Sequence, residues 1–320
     1  MMKRAVAIVS GGLDSTTMVA VLENEGWTVD MLSFNYGQRH NIELDYAYGV
    51  AQMFGLRHNI VDLKGLADLL DSSALTSGGG VPEGHYAEET MKATVVPNRN
   101  MIMLSIACGV AVNREANTVA IGVHSGDHFI YPDCRPEFIF AAGQAMLEGN
   151  QGFHKFGAVS DEEIKALRDQ FGPDAVIRFG SKPITTPFLN ASKADIAYRA
   201  LQLNIPLHMT YSCYKGETSH CGRCGTCVER LEAIDWAQRR MMEEGRSFEP
   251  DHTVYKDPNF WRGVVEERRE KERRSEYRHG GIAGGVDVPV PPELADDDST
   301  RDDVEARAYE HEIDDHSDIY

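Results

Sequence analysis

Short runs of β-branched residues alternate with helical stretches along the first 130 or so residues, and this alternation constrains the fold most. Such alternation is typical of βαβ units, in which parallel strands are covered by helices on both faces. The sequence therefore predicts an α/β fold with a doubly wound parallel sheet. The patterns predict strands over residues 5–10, 29–35, 58–63 and 118–123, and helices over residues 15–25, 42–54 and 99–113.

Helical patterns continue through the second half of the chain, interrupted by residues 149–180, which we interpret as an insertion. Ser192 occupies an N-cap position with Asp195 three residues later, a variant of the capping box that predicts a helix start. The patterns predict helices over residues 136–147, 161–171, 192–203 and 228–245, and a strand or extended segment over residues 184–188.

The C-terminal quarter differs in composition from the rest. Residues 261–279 are charged almost throughout, which predicts a solvated helix or one that faces a partner. Gly, Pro and Asp dominate after that point, so we predict a disordered tail. The expected organisation is one catalytic domain over residues 1–235, a helical extension over residues 236–279 and an acidic tail over residues 280–320.

Acidic charge is concentrated in this tail. The chain of 320 residues carries a formal net charge of −18, and residues 286–320 hold 13 acidic side chains against two basic ones. The remainder is only mildly acidic. A protein that grips nucleic acid non-specifically needs a basic surplus, so the composition argues against that class.

Hydropathy and cysteine usage indicate the compartment. No apolar run approaches the roughly 20 residues that cross a bilayer, and the apolar start over residues 5–9 is too short for a signal peptide. Cys108 and Cys134 are isolated, whereas the other four cysteines fall within 15 residues, which indicates metal binding in a reducing compartment. We therefore expect a cytoplasmic protein without a membrane segment.

The run Ser10-Gly11-Gly12-Leu13-Asp14-Ser15-Thr16 lies where the first predicted strand ends and the first helix begins. Two glycines allow a tight turn with converging N–H groups, and the helix N-terminus adds positive potential, so an anion suits this turn. Hydroxyl groups of Ser10, Ser15 and Thr16 add donors. Asp14 would repel a bare phosphate and better suits Mg²⁺. An ordinary capped turn between strand and helix is the alternative.

The cysteine cluster consists of Cys213, Cys221, Cys224 and Cys227. Four thiolates match tetrahedral zinc, and two-residue spacings let consecutive thiolates reach one centre. An iron-sulfur cluster is the chief alternative, and His220 could replace Cys213 as a ligand. Four ligands would close the site, so we predict a structural role for the ion.

The glycine-containing turn resembles the SGG-x-DS pyrophosphate loop of the adenylating ATP pyrophosphatases, which cleave ATP to AMP and pyrophosphate. With the cysteine cluster, the chain resembles the QueC family of 7-cyano-7-deazaguanine synthases over roughly residues 3–235. The further stretches that carry this resemblance are Asn35-Tyr36-Gly37-Gln38-Arg39-His40, Val96-Pro97-Asn98-Arg99-Asn100, Ile130-Tyr131-Pro132-Asp133-Cys134-Arg135, Thr186-Pro187-Phe188 and Ser192-Lys193-Ala194-Asp195.

The resemblance implies catalytic roles for Asp14, Ser15, Lys193, Asp133 and Arg135. Lys193 lies in the first turn of a predicted helix, where the helix dipole prefers an acid, so its cation better serves ATP phosphates. Asp133 would accept the N–H pair of a guanine-like ring, and Arg135 would meet the substrate carbonyl or carboxylate. The residues expected to bind ATP are Ser10, Gly11, Gly12, Leu13, Asp14, Ser15, Thr16, Arg39, Arg99 and Asn100.

Several neighbouring residues allow more than one role. Cys134 could act as a nucleophile, although adenylation needs no covalent intermediate with the protein. Asp127 and His128 could add a second Mg²⁺ ligand or a proton shuttle, or they could be solvated loop residues. Lys182 is expected to be a surface residue.

The implied activity is that of a carbon–nitrogen ligase of queuosine biosynthesis. ATP with Mg²⁺ would adenylate 7-carboxy-7-deazaguanine, ammonia would displace AMP to give an amide, and a second adenylation would lead to the nitrile. Ammonia would arrive free or from another protein. We further expect one structural Zn²⁺ per chain, a homodimer, and a protein partner at the C-terminal extension.

Two alternative functions keep the adenylation chemistry. One is a ligase that couples the activated deazaguanine to an amine on a protein or nucleic acid, in phage defence or DNA modification. The other is a tRNA-modifying enzyme, which the acidic body disfavours. A scaffold without activity is a third alternative. Three departures from the family leave the acceptor open: the insertion, the extension beyond the family's usual end, and Asn98 where many members carry glycine.

Overall fold

The computed structural model describes residues 3–38, 41–66, 69–70, 72–76, 80–86, 89–158, 165 and 182–280. Within these residues the strands are Arg4–Ile8 (β1), Thr28–Asn35 (β2), Arg57–Asp62 (β3), Thr118–Ala120 (β4) and Ile184–Thr185 (β5). The α-helices are Leu13–Asn24 (α1), Ile42–Phe54 (α2), Arg99–Asn113 (α3), Pro136–Gly149 (α4), Lys193–Gln202 (α5), Gly225–Glu243 (α6) and Phe260–Gly280 (α7).

The strands form one parallel sheet in the order β3-β2-β1-β4-β5. Ala5 of β1 is paired with Val29 of β2 on one side and with Thr118 of β4 on the other. Strands that are paired on both sides and covered on both faces are largely apolar, as β1 is from Ala5 to Ile8. The predicted parallel α/β fold is confirmed.

Helices cover both faces of the sheet. Successive side chains of a strand point to opposite faces, so β1 contributes to two core clusters. Ala5 and Ala7 of β1 pack in one core cluster with residues of α1, α2, α5 and α6. Val6 and Ile8 pack in the other cluster, with residues of α3 and α4. The sheet is therefore doubly wound.

Most predicted element positions agree with the structure. Helices α2 and α3 have the predicted bounds, and Asn98, the residue before α3, has a left-handed backbone with φ +57°. Asparagine tolerates this conformation better than most residues, which explains how it replaces a glycine there. The capping box is also confirmed, because Ser192 Oγ accepts from the Asp195 N–H at 3.2 Å and Asp195 Oδ2 accepts from the Ser192 N–H at 3.0 Å.

Three predicted bounds differ from the structure by three residues, and the other bounds within the described residues differ by at most two. Strand β4 ends at Ala120 instead of residue 123, and Ile121, Gly122 and Val123 after it line the cleft described below. Strand β5 has only two residues. Helix α6 begins at Gly225, three residues before the predicted start, so its first turn contains the last cysteine of the cluster.

One helical stretch, Met91–Asn113, is long and apolar enough to cross a membrane by length and composition alone, with mean hydropathy 1.4. Its main part is α3, which packs on β1 and β4. Met103, Leu104 and Ala107 of α3 are buried in the core. This packing is that of a core helix.

The chain divides into two compact units, Met1–Arg269 and Glu270–Tyr320. The predicted boundary between residues 235 and 236 lies inside α6, and the domain organisation stays a prediction. Arg39, the tail beyond residue 280, and the predicted helix over residues 161–171, apart from Lys165, lie outside the described residues. The charged stretch over residues 261–279 belongs to α7, as predicted.

Candidate active site

A cleft of about 230 Å³ opens at the carboxyl ends of β1 and β4. The chain leaves β1 toward β2 and later returns to β4 on the other side of β1, so the loops after these two strands diverge. Open parallel sheets bind ligands at such switch points. The turn after β1, the N-terminus of α3 and Lys193 of α5 all line this cleft.

The turn after β1 is held tightly between its neighbours. Gly11 has φ +79°, and a Cβ there would lie 2.6 Å from the backbone nitrogen of Ala47 and the carbonyl oxygen of Glu43. A Cβ at Gly122, which follows β4, would lie 3.3 Å from the backbone nitrogen of Ser15. Helix α2 and the loop after β4 therefore fix the path of the turn, and glycine is required at Gly11 on two counts.

The turn presents donors to the cleft. Helix α1 starts at Leu13 with Gly12 as its N-cap, and no side chain caps it. The first N–H groups of a helix have no intrahelical partner, and the helix dipole places positive potential there. Ser10 Oγ and Ser15 Oγ lie 3.3 Å apart at the same place. An anion can therefore be bound by N–H groups of Leu13, Asp14 and Ser15 together with two hydroxyls.

Lys193 is paired with two carboxylates. Its Nζ lies 2.7 Å from Asp14 Oδ2 and 3.4 Å from Glu229 Oε2. Burial lowers the pKa of Lys193, but the charges of Asp14 and Glu229 outweigh this effect and the pKa lies above its usual value. Burial raises the pKa of Asp14, yet Lys193 and His124 hold it below its usual value. Both groups are therefore charged near neutral pH.

One oxygen of the Asp14 carboxylate is available to a ligand. Its second oxygen, Oδ1, is buried and has no hydrogen-bond partner among the residues that the structure describes. A buried carboxylate oxygen without a partner is costly unless a ligand satisfies it. A hard cation such as Mg²⁺ prefers carboxylate oxygens, so the donor set at Asp14 fits one.

The loop after β4 contributes His124 and Asp127, which lie close to Asp14. His124 Nδ1 accepts from the Gly126 N–H at 3.1 Å, so the neutral ring carries its proton on Nε2. That Nε2 lies 3.5 Å from Asp127 Oδ1 and 4.0 Å from Asp14 Oδ2. Tyr86 donates to Asp127 at 3.1 Å. Asp127, which lines the cleft, is thus held by two neighbours, whereas the His128 carbonyl accepts from Arg135.

Aromatic and charged side chains form another part of the cleft lining. Tyr36, Tyr131 and Tyr214 contribute ring surface, and the Arg99 guanidinium lies 5.9 Å from the centre of the Tyr131 ring. Burial raises the pKa of Glu43 to about 7, although the charge of Arg99 opposes the rise. This region can accommodate a planar, polar ring with a carboxylate group.

Two predicted substrate residues do not line the cleft. Asp133 Oδ2 accepts from the Asn100 N–H at 2.9 Å, so Asp133 caps the N-terminus of α3. Arg135 is exposed and donates to the His128 carbonyl at 2.9 Å. Asn100 lines the cleft, but its side-chain amide donates to the Asp133 carbonyl at 3.0 Å and to the Cys134 sulfur at 3.2 Å.

The other predicted residues are distributed as follows. Thr16 is fully buried and, like Gly11, does not line the cleft. Cys134 lines it, but burial raises the pKa of its thiol far above the usual value, so the thiol stays protonated. The residues that the structure brings together in the cleft are Ser10, Gly12, Leu13, Asp14, Ser15, Arg99, Asn100 and Lys193.

The four cysteines of the cluster form a buried group in which all sulfur atoms lie within 4.8 Å of one another. Cys221 Sγ is 3.9 Å from Cys227 Sγ, and Cys224 Sγ is 4.0 Å from Cys213 Sγ. One tetrahedral ion with sulfur ligands at about 2.3 Å holds them about 3.8 Å apart. The donor set therefore fits a single metal ion, whereas the ligands of an iron-sulfur cluster bind different iron atoms and need wider spacing.

Neighbouring residues shape the cluster. Gly222 has φ +78°, and a Cβ there would collide with the carbonyl oxygen of Asp257. His220 does not belong to the group, because its Nε2 accepts from the Ser212 N–H at 3.1 Å. Fully buried Arg230 donates to Thr210 at 2.7 Å and to the Leu207 carbonyl at 2.7 Å. These bonds tie the segment that bears Cys213 to α6.

Sequence reasoning missed Glu229, Glu43 and His124. Glu229 and Glu43 are single acids in helices, and nothing in their spacing distinguishes them from solvated residues. His124 adjoins the Asp127 and His128 pair that the sequence singled out, so its position after a buried strand could have indicated it. Their importance follows from long-range packing, which the sequence does not display.

A family model described as "Queuosine biosynthesis protein QueC" matches residues 4–238. The 7-cyano-7-deazaguanine synthase of Rhizobium meliloti is 46% identical over 258 residues, covering 81% of this chain and 94% of the relative. The enzyme of the same name from Paracoccus denitrificans is 42% identical over 268 residues, covering 83% of this chain and 98% of the relative.

Solved structures are more distant. NMN synthetase from Francisella tularensis aligns with 11% identity and a TM-score of 0.37, covering 89% of each chain. At this score the likeness carries no argument about the present chain.

Proposed function

Because the chain belongs to the QueC family, we propose that its cleft converts 7-carboxy-7-deazaguanine to 7-cyano-7-deazaguanine with ATP, as a carbon–nitrogen ligase of queuosine biosynthesis. The observation that carries this proposal is the ion pair of Lys193 and Asp14 beside the glycine turn after β1. The matched family and its curated relatives support neither coupling to a macromolecular amine nor tRNA modification.

The turn binds the pyrophosphate part of ATP. N–H groups of Leu13, Asp14 and Ser15, the positive end of α1, and the Ser10 and Ser15 hydroxyls supply donors without a charged side chain. Lys193 adds a full positive charge at the same place. Negative charge that grows on the leaving pyrophosphate is stabilised by these groups, which are already in position before the reaction.

Asp14, whose Oδ1 has no hydrogen-bond partner among the described residues and whose Oδ2 contacts Lys193, would hold Mg²⁺. A bound Mg²⁺ neutralises phosphate charge and orients the triphosphate. Lys193 and Mg²⁺ would together offset the repulsion between the Asp14 carboxylate and the phosphates. Ser15, directly after it, keeps its hydroxyl near the phosphates.

The deazaguanine ring lies against Tyr36, Tyr131 and Tyr214, with its carboxylate near Arg99. Glu43 replaces Asp133 as the group that accepts the ring N–H pair, because Glu43 lines the cleft and Asp133 caps α3. Arg135, which donates to a backbone carbonyl, has no part in this arrangement. Arg39 lies outside the described residues, and its contact with ATP stays a prediction.

The chemistry proceeds in two adenylations. The substrate carboxylate attacks the α-phosphate of ATP, and pyrophosphate leaves with the electron pair of the broken P–O bond. Ammonia attacks the carboxyl carbon, AMP leaves, and loss of a proton from nitrogen gives the amide. The amide oxygen then attacks the α-phosphate of a second ATP, and pyrophosphate leaves with the electron pair of the broken P–O bond. Loss of AMP and of the remaining N–H protons gives the nitrile.

The cluster of Cys213, Cys221, Cys224 and Cys227 holds one Zn²⁺ in a structural role. Support comes from sulfur-to-sulfur distances of 3.9 and 4.0 Å, which suit one tetrahedral ion. Four sulfur ligands close the coordination shell, so the ion takes no part in the chemistry. It fixes the segment before α6, from which Tyr211 and Ser212 reach the cleft.

The enzyme works in the cytoplasm as a homodimer and takes its nitrogen from free ammonia or from a protein that supplies it. Six free cysteines are consistent with a reducing compartment. The C-terminal extension offers a charged surface for a protein partner.

Mass spectrometry of one reaction tests the proposed function. Purified protein incubated with ATP, Mg²⁺, ammonium and 7-carboxy-7-deazaguanine should release AMP and pyrophosphate and form a product lighter than the amide by one water. Accumulation of the amide alone would contradict the full synthase activity.

A further inference from the structure

A second cleft, of about 450 Å³, reaches Lys193 independently of the first. It is lined by residues of α5, α6 and the first turns of α7, including Trp236 and Trp261. Lys193 lines both clefts, whereas Glu229 lines only the second. The second cleft therefore leads from solvent to the lysine that we place at the phosphates of ATP.

Glu229 is the interior acid of this second cleft. Its Oε2 lies 3.4 Å from Lys193 Nζ, is buried, and makes no hydrogen bond within the described part of the chain. Lys193 makes its shorter contact, 2.7 Å, with Asp14. Glu229 thus shares the Lys193 ammonium with Asp14, which makes the shorter contact.

Other acids in the second cleft have cations of their own. Glu232 lies 3.3 Å from His85 and 3.9 Å from Arg269. Asp235 lies 2.8 Å from Arg239. Arg239 and Arg269 are exposed, and ion pairs with exposed partners contribute little to stability. Glu229 differs because it is only 13% exposed and its nearest cation is shared.

The charge around Lys193 is unbalanced. In the described part of the chain, Lys193 contacts Asp14 and Glu229, and His124 lies within 4.0 Å of Asp14 and Asp127. ATP and a carboxylate substrate would add further negative charge. Buried negative charges of this number require additional cations. Mg²⁺ at Asp14 would supply positive charge there but not beside Glu229.

We propose that the second cleft admits ammonium and that Glu229 binds it beside Lys193. This inference rests on the proposed function, in which ammonia attacks the adenylated carboxyl group. Ammonium carries only N–H donors, and a carboxylate accepts them. One ammonium proton then passes to the Glu229 carboxylate, which leaves ammonia with a free electron pair for attack on the acyl carbon. Entry from this side brings the nitrogen to the acyl group without passing through the first cleft, which holds the nucleotide and the deazaguanine ring.

Kinetics of Glu229→Gln test the proposal, because glutamine keeps the shape and removes the charge. Pyrophosphate release without ammonium reports adenylation, and amide plus nitrile formation against ammonium concentration reports capture of nitrogen. The variant should raise the KM for ammonium at least tenfold, and saturating ammonium should restore most of the product rate. Glu243→Gln, an exposed glutamate on the same helix, should leave this KM within twofold.

Three results would overturn the proposal. An unchanged KM for ammonium would remove Glu229 from nitrogen binding. A loss of pyrophosphate release as large as the loss of product would mean that Glu229 acts through Lys193 in adenylation. A raised requirement for Mg²⁺ in place of ammonium would assign the carboxylate to the metal. If wild-type protein forms no amide with ammonium, the proposed function fails, and this inference fails with it.

Discussion

Lys193 Nζ and Asp14 Oδ2 lie 2.7 Å apart although 179 positions separate them in the sequence. The capping box of Ser192 and Asp195 starts α5 at Lys193, and the glycine turn after β1 starts α1 one residue before Asp14. Two helix N-termini therefore meet at one point. This meeting places the lysine beside donors that suit phosphate.

Replacing Lys193 with methionine should reduce substrate-dependent pyrophosphate release by about 100-fold or more, because a preorganised charge at the leaving group is lost. Arginine at the same position should retain more activity than methionine. The measurement is initial pyrophosphate release at saturating ATP. Equal activity of wild type and Lys193→Met would exclude the lysine from phosphate binding.

Asp14→Asn should change how stability depends on pH. Because the pKa of Asp14 is lower in the folded protein than its usual value, its ionised form adds stability above about pH 4. That contribution is lost as the pH falls through the folded pKa. The variant should thus melt below wild type at pH 7, and the Tm difference should shrink below about pH 4. A Tm difference that is constant from pH 7 to pH 3 would contradict this.

Gly11→Ala should destabilise the protein more than Gly26→Ala. Both glycines have nearly the same left-handed backbone, with φ +79° and +77°, but a Cβ at Gly26 meets nothing within 4 Å. Gly26→Ala should cost about 1–2 kcal/mol, from the backbone alone. Gly11→Ala adds a collision with α2, so denaturant unfolding should show a larger loss, together with weaker ATP binding. Equal losses would mean that α2 does not clamp the turn.

Cys134→Ser should keep at least about a third of the wild-type rate, because a thiol with a raised pKa is a poor nucleophile. Product formation under saturating substrates is the measurement, and intact-mass analysis should find no adduct on the protein. A rate loss of 100-fold with a trapped acyl adduct would restore the covalent role.

Metal analysis should find one zinc per chain. Cys213→Ser should lose the zinc and lower the Tm, because a structural zinc site stabilises the fold directly. The control is Cys108→Ser, since Cys108 lies outside the cluster and the variant should keep its metal. Iron at two or more per chain would contradict the zinc assignment.

Local sequence signals predicted the fold well. Hydrophobic periodicity and capping gave the bounds of α2 and α3 and the start of α5, because these features act between residues close in sequence. The cysteine spacing likewise predicted a group that could hold one metal ion. Strand ends were less predictable, since Ile121 follows the last residue of β4 and is as apolar as a strand residue.

Parts of the site could not be predicted in this way. Asp133 and Arg135 occupy a loop at a strand end, as ligand residues do, but Asp133 accepts from Asn100 and Arg135 donates to the His128 carbonyl, and neither lines the cleft. Glu229 becomes important only through its distance from Lys193, which depends on the packing of α5 against α6. Contacts of that kind are set by tertiary structure and leave no pattern along the chain.

Exchange of labelled pyrophosphate into ATP, measured without ammonium, tests the central claim most directly. The account predicts exchange that requires 7-carboxy-7-deazaguanine and Mg²⁺ and is lost in Lys193→Met, because adenylation precedes the arrival of nitrogen. Release of ADP and phosphate, or exchange that persists in Lys193→Met, would contradict it.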